Sequence, residues 1–322
     1  NKNYKKEKMS VTPELRHIYQ NHHLDTRHWD NFQPRSGDIV ISTSYKAGTT
    51  LTQTIVTNLL FPNNDMPGSV SSLSPWLDMR LSPLDETLAT LEAQTHRRCI
   101  KTHLALDGLP YFEELKYVVV GRDPRDVFMS LVNHCGGYTA QFYEALNGLP
   151  GRVGDPFPEY DGDIHTLWKN WITRGWFEWE SDGYPYWSHL HHAKTWWEFR
   201  HLPNIHLIHY NDLRADLEGQ MRVLAAYLEI EVPEERWPSV VHECQFETVK
   251  ANPEKVLEPM FDVMFKGGSD TFLYKATNGR WKDILSEDEL ALYRQAMEST
   301  LPADCAAWLE SGGDYGLETG DS

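Results

Sequence analysis

Cysteine is scarce in this chain. Only Cys99, Cys135, Cys244 and Cys305 occur among 322 residues, and no two form a CxxC pair. That excludes a disulfide-stapled scaffold and a zinc ribbon, and it fits reduced thiols in a cytoplasmic protein. No apolar run approaches the roughly 20 residues of a membrane span. The start, Asn1 to Lys8, holds four lysines with no apolar stretch behind them, so it does not read as a signal peptide. It reads instead as a processed end or a linker from a larger polypeptide, with residues 1–30 as an N-terminal extension and Met9 inside it. Positive charge is also short: Lys+Arg is 30 against 47 Asp+Glu, a net −17. A surface of that sign argues against a nucleic-acid coat or an anionic lipid surface as partner. The deficit is uneven. Residues 1–135 carry 15 basic and 15 acidic side chains, whereas residues 136–322 carry 15 and 32, so the neutral part is where a small polyanion fits.

Internal repeats and low-complexity linkers are absent, and short apolar runs alternate with helical patterns. Strands are expected at 37–42, 99–103, 117–120 and 205–209. Helices are expected at 49–60, at 124–134 with Pro124 in the first turn, at 213–228, and at 286–299, where Ser286 and Glu289 form a capping box. Strands separated by helices predict an α/β fold: a mostly parallel central sheet flanked by helices, read as a single domain over 1–322. Ligands of such sheets bind beyond the carboxyl ends of the strands. Two segments break the alternation. Residues 62–95 are rich in Pro, Ser and Asp, and residues 136–200 hold seven of the twelve tryptophans. Both are read as irregular lid segments walling an acceptor site.

The informative residues follow strands. After the first comes Tyr45-Lys46-Ala47-Gly48-Thr49-Thr50. Gly48 permits close backbone approach, the helix start offers free amides, and Lys46 adds a point charge, which together suit a phosphate. The order is wrong for a nucleotide triphosphatase, because the Walker pattern ends in Gly-Lys and here the lysine comes first. After the third strand, Arg122 and Ser130 stand eight residues apart, an arginine fork and a hydroxyl on one loop–helix unit. His189, His191 and His192 lack a matching carboxylate pattern for a metal, and are expected on an exposed helix face.

Together the loop 45–50, the strand end Lys101-Thr102-His103-Leu104 and the Arg122/Ser130 pair resemble the cytosolic-type sulfotransferase family over roughly residues 30–300. Members use 3′-phosphoadenosine 5′-phosphosulfate as sulfo donor on a phosphate-loop-like core. The resemblance implies that Lys46, Ala47, Gly48, Thr49 and Thr50 hold the 5′-phosphosulfate, and that Arg122 and Ser130 hold the 3′-phosphate under a loop from Lys275 through Gly279 to Arg280. It places Tyr210 and Phe246 at the adenine, and Pro75 and Trp76 at the acceptor. Several positions depart from the family pattern. Tyr45 stands for the usual Pro, Leu51 for a Trp that stacks on adenine, Cys244 for a hydroxyl residue, and Tyr274 and Ala276 for Arg and Gly. The short C-terminal dimer motif is not intact after Lys282, and the oligomeric state stays open.

The implied mechanism has His103 as general base, with Lys46 and Lys101 stabilising the bridging and transferring oxygens, and requires no metal. The acceptor is a hydroxyl or amine of a small molecule or lipid. One variant is a sulfotransferase domain of a polyketide-type multienzyme acting on a carrier-bound hydroxyacyl chain. A competing class is a phosphate-loop small-molecule kinase, against which the lysine order and the missing Mg²⁺-holding aspartate both count. A third is a nucleotide-binding module without catalysis, which His103 beside Lys101 disfavours.

Overall fold

The apolar runs become a parallel sheet. The computed structural model describes residues 12–275 and 277–316, so Met9 and Ala276 lie outside the described residues. Within these, four strands pair in the order β2-β1-β3-β4: β1 Ile39–Thr43, β2 Cys99–Thr102, β3 Lys116–Gly121 and β4 Ile205–His209. The register sets Ile41 beside both Lys101 and Val118. Side chains alternate across the pleat. Ile39, Ile41, Val118 and Val120 pack on one face with the helices Thr49–Leu60 and Leu217–Leu228. Val40, Tyr117, Val119 and Leu207 pack on the other with Pro124–Gly137, Ile164–Thr173 and His189–Glu198. Both faces are covered, which is why the strands read as continuous apolar runs.

β1 is central, and the chain leaves it toward β2 on one side but leaves β3 toward β4 on the other. The crevice of such a sheet opens where the order reverses, beyond the carboxyl ends of β1 and β3. At the opposite end, Arg98 and Asp38 form a buried ion pair, with Arg98 Nε donating to Asp38 Oδ1 at 3.0 Å.

Helix starts follow local chemistry. Asp123 accepts from Arg125 N ahead of Pro124, and Ser286 and Glu289 close the expected capping box on Glu287–Thr300. The helix expected over 213–228 is two, Tyr210–Ala215 and Leu217–Leu228. Asp216 breaks it by accepting from Gly219 N as the cap of the second. The two irregular segments contain helices, among them Leu84–Ala93, Ala140–Gly148 and Ile164–Thr173. The described part of the supposed N-terminal extension packs into the body, burying Tyr19, Leu24 and Trp29. Tyr19 donates to Asp107 Oδ1 at 3.0 Å, and Trp29 to Asp78 Oδ2 at 2.8 Å.

Candidate active site

The turn after β1 carries two left-handed residues, Lys46 with φ 63° and Gly48 with φ 117°. Lysine tolerates that region poorly, so the turn is held by its surroundings. Gly48 caps the helix Thr49–Leu60 without a side chain, and the first amides of that helix have no intrahelical acceptor. A Cβ on Gly48 would meet Tyr210 Cδ2 at 3.0 Å. The turn therefore presents backbone donors and a dipole end to the crevice. Ala47 is buried beneath it and does not line the cavity.

A cavity of about 530 Å³ opens there, lined by Lys46, Gly48, Thr49, Thr50, Lys101, His103, Arg122, Ser130, Tyr210, Phe246, Lys275 and Arg280. Twelve of the residues singled out in the sequence thus converge from six separate segments. Gly279 is not in the lining; its amide donates to Asp126 Oδ1 at 2.6 Å, which fixes the loop from below. Pro75 and Trp76 stand behind the wall. The Pro75 carbonyl accepts from Lys101 N at 2.9 Å, and the Trp76 ring lies 4.6 Å from both the His103 ring and the Lys101 ammonium.

The two expected lid segments, 62–95 and 136–200, contribute no lining residue; the wall comes instead from 244–247, Val249, 272–275 and Arg280. The tryptophans of 136–200 are mainly core, with Trp168, Trp171 and Trp196 buried. Their helices turn an apolar face to the sheet, and a tryptophan at helical spacing reads alike as core or as pocket.

The cations of the cavity are short of partners. Arg122 donates from Nη1 to Lys46 O and from Nη2 to Asn278 Oδ1, both at 3.0 Å, and stacks on Tyr210 at 4.1 Å. Its Nε is buried and bonded to nothing, as is Nε of Arg280. An unpaired buried donor is costly and points to a missing acceptor. Burial, with Lys101 and Arg122 near, pushes Lys46 down to about 7, and burial pushes Lys101 down to about 8. Such a cluster is stabilised by an anion carrying several oxygens.

His103 is buried against two carbonyls. Its Nδ1 lies 2.9 Å from Thr43 O and 2.8 Å from Ser44 O. Carbonyls only accept, so Nδ1 carries the proton and Nε2 keeps its lone pair. That Nε2 has no partner. Burial, then the Lys101 charge, holds the imidazole well below its usual range, hence neutral. The group is a proton acceptor that lines the same cavity as Lys46 and Lys101.

Behind the site, His189 and His192 are buried rather than exposed, which corrects the expectation for that helix. His189 meets Ser44 Oγ and, at 2.9 Å, the Arg122 carbonyl, tying the loop after β1 to the end of β3. His192 meets Ser42 Oγ at 2.9 Å, and His191 meets Asp107 Oδ2 at 2.7 Å. The described residues hold no cluster arranged as a metal site.

Sequence reasoning missed Asn133, His134 and Phe272, all of which line the cavity. Asn133 and His134 follow Ser130 by three and four residues on one helix, the spacing that shares a face, so that signal was present. Phe272 lies on an aperiodic stretch that offered none.

The sulfotransferase domain model matches residues 36–304. A glycolipid sulfotransferase of Mycobacterium tuberculosis is 32% identical over 311 residues, covering 92% of this chain and 94% of that protein. Human sulfotransferase 1E1 is 27% identical, covering 85% and 90%. In fold, the chain resembles a mouse sulfotransferase complexed with PAP, with a TM-score of 0.66, 17% identity and coverage of 88% and 92%. It also resembles a retinol dehydratase in complex with androsterone and the inactive cofactor PAP, with a TM-score of 0.64, 22% identity and coverage of 87% of each chain. The kinase reading and the non-catalytic reading both give way to these matches, and the chain belongs to the sulfotransferase family.

Proposed function

We propose that the protein moves a sulfo group from 3′-phosphoadenosine 5′-phosphosulfate to a hydroxyl of a lipid or small-molecule acceptor. His103 supports this most directly: it lines the cavity together with Lys46 and Lys101, and its neutral ring leaves Nε2 without a partner. The residues fit the donor on the structure's own terms. Arg122 and Arg280 each hold an unpaired buried Nε and line the cavity with Ser130 and Lys275, which suits the 3′-phosphate. Gly48 and the open amides of the helix after β1 suit the 5′ end, and Tyr210 and Phe246 offer ring faces to the base.

When bound, the donor supplies the sulfo group and departs as 3′-phosphoadenosine 5′-phosphate. His103 Nε2 takes the acceptor's hydroxyl proton as its oxygen bonds to sulfur. Lys46 meets the charge left on the departing phosphate oxygen as the sulfur–oxygen bond breaks, and Lys101 faces the transferring oxygens. None of these residues needs a metal for its part. The mycobacterial relative, named for glycolipids, supports a sugar-bearing lipid as acceptor. No helix among the described residues is long and apolar enough to cross a membrane. The test is transfer from labelled donor to a panel of glycolipids, sterols, phenols and hydroxyacyl thioesters. Transfer to glycolipids is expected. No transfer to any arm refutes the reaction, and transfer to thioesters alone reassigns the acceptor to a carrier-bound chain.

A further inference from the structure

Among the polar residues of the cavity that the reading leaves without a role is His134. His134 lies on the helix Pro124–Gly137, one turn beyond Ser130. It is buried, and both of its ring nitrogens are engaged. Nδ1 stands 3.4 Å from Lys46 Nζ, and Nε2 stands 2.8 Å from Tyr45 Oη. Tyr45 Oη continues to Tyr138 Oη at 3.3 Å, and Tyr186 donates to Tyr138 at 3.1 Å. A hydrogen-bonded chain thus runs from the Lys46 ammonium into an aromatic core.

The chain has a direction. An ammonium only donates, so His134 Nδ1 must accept, and the ring proton sits on Nε2 and goes to Tyr45. Only a neutral imidazole can do this, and burial together with the Lys46 charge keeps His134 well below its usual range. The charges that act on Lys46 are like ones, Lys101 from β2 and Arg122 from the end of β3, and the cavity lining adds Arg214, Lys275, Arg280 and one carboxylate, Glu247. Cys135, beside His134, is the other titratable neighbour, and burial holds its thiol up, hence uncharged. Phe272 closes the remaining side, 4.6 Å from the ammonium.

We propose that His134, oriented by the Tyr45 hydroxyl, is a positioning residue that accepts a hydrogen bond from Lys46 and holds that ammonium charged and aimed at the leaving oxygen. The part played in catalysis rests on the reaction proposed above; the docking of Lys46 on His134 does not. The residue before the loop lysine is a tyrosine here because its hydroxyl fixes the tautomer that Lys46 needs.

The test compares His134→Asn, His134→Gln and His134→Leu in the full chain. Asparagine places an acceptor near the Nδ1 position, glutamine near Nε2, and leucine none. Lysine side-chain titration is followed by ¹³C NMR without donor, with the Lys46 signal assigned by its loss in Lys46→Arg. A hydrogen bond accepted from the ammonium favours the charged form and so raises a lysine's pKa. The Lys46 midpoint is therefore expected to fall in His134→Leu and His134→Gln and to stay in place in His134→Asn. In turnover, kcat is expected to fall about tenfold or more in the first two, with the alkaline limb moved to lower pH, and by less than about threefold in the third. An unchanged midpoint in His134→Leu overturns the proposal, as does an equal loss of kcat in all three. Tyr45→Phe, which keeps the ring, is a second route should the leucine variant fold poorly. It is expected to lower the midpoint in the same direction, and a wild-type titration refutes the tautomer argument. Absence of transfer in the wild type, with the midpoints moving as stated, counts against the reaction and not against the docking.

Discussion

Replacing Arg122 with alanine should weaken binding of adenosine 3′,5′-bisphosphate far more than binding of adenosine 5′-phosphate. Arg122 now spends two donors on Lys46 O and Asn278 Oδ1 and keeps Nε bare in a buried site. A charge-assisted hydrogen bond to phosphate is worth about 1.5–3 kcal/mol. Taking about 2 kcal/mol for the contact that only the 3′-phosphate can make gives roughly a 30-fold selective loss. The loss of the bond to Lys46 O also slackens the loop after β1, but that loss falls on both nucleotides. The ratio of the two affinity changes, and not either change alone, therefore isolates the clamp. Isothermal titration of both nucleotides into wild type and Arg122→Ala, at two salt concentrations, measures it. Salt should lower the bisphosphate affinity more steeply in wild type, because the clamp is electrostatic. Arg122→Lys, which keeps the charge but not the fork, should fall between. Equal losses for the two nucleotides would mean that Arg122 supports the loop and does not read the 3′-phosphate.

His103→Ala should abolish transfer while leaving bisphosphate affinity within about threefold, because the ring's hydrogen bonds go to Thr43 and Ser44 and to no residue read as holding a phosphate; turnover within tenfold of wild type would refute its role as base. Gly48→Ala should reduce nucleotide affinity at least tenfold, since φ 117° and a Cβ at 3.0 Å from Tyr210 both oppose it, and calorimetry showing unchanged affinity would remove the close-approach argument. Asp38→Ala should destabilise the fold by about 3–5 kcal/mol in urea unfolding, because it strands the buried Arg98 charge; a loss below about 1 kcal/mol would show that water reaches that pair.

The sheet was legible because buried parallel strands are short runs of Val and Ile. The predicted 205–209 matches β4, and 117–120 sits inside β3. The residues just past those strands were legible for the same reason: position after a strand assigns Lys46, His103 and Arg122 to one crevice before any coordinate is known. The acceptor side was not legible. Local pattern separates an apolar face from a polar one but does not say what the apolar face meets. Tryptophans 168, 171 and 196 accordingly proved to be core, and His189 and His192 lie buried behind the loops they tie. Leu213 to Leu228 kept its period through Asp216, and only the side-chain cap on Gly219 ends the first helix there.

The charge balance explains how a chain at −17 can hold a donor with several negative charges. Bulk charge acts through water and is screened within about 10 Å at moderate salt. The cavity cations act inside a low-dielectric wall, where the same charges interact more strongly. Among the described residues, Lys46, Lys101, Arg122 and Arg280 form no ion pair with a carboxylate. Burial first, and then the charges of Lys101 and Arg122, push Lys46 down to about 7. An arriving polyanion relieves that repulsion. Each oxygen that binds also raises the Lys46 pKa back toward its ordinary value, so binding and protonation of Lys46 reinforce each other. Affinity should therefore fall as pH rises through the Lys46 midpoint, since the charged lysine dominates below it and the neutral one above. The net charge of −17 should meanwhile disfavour polyanionic polymers as partners.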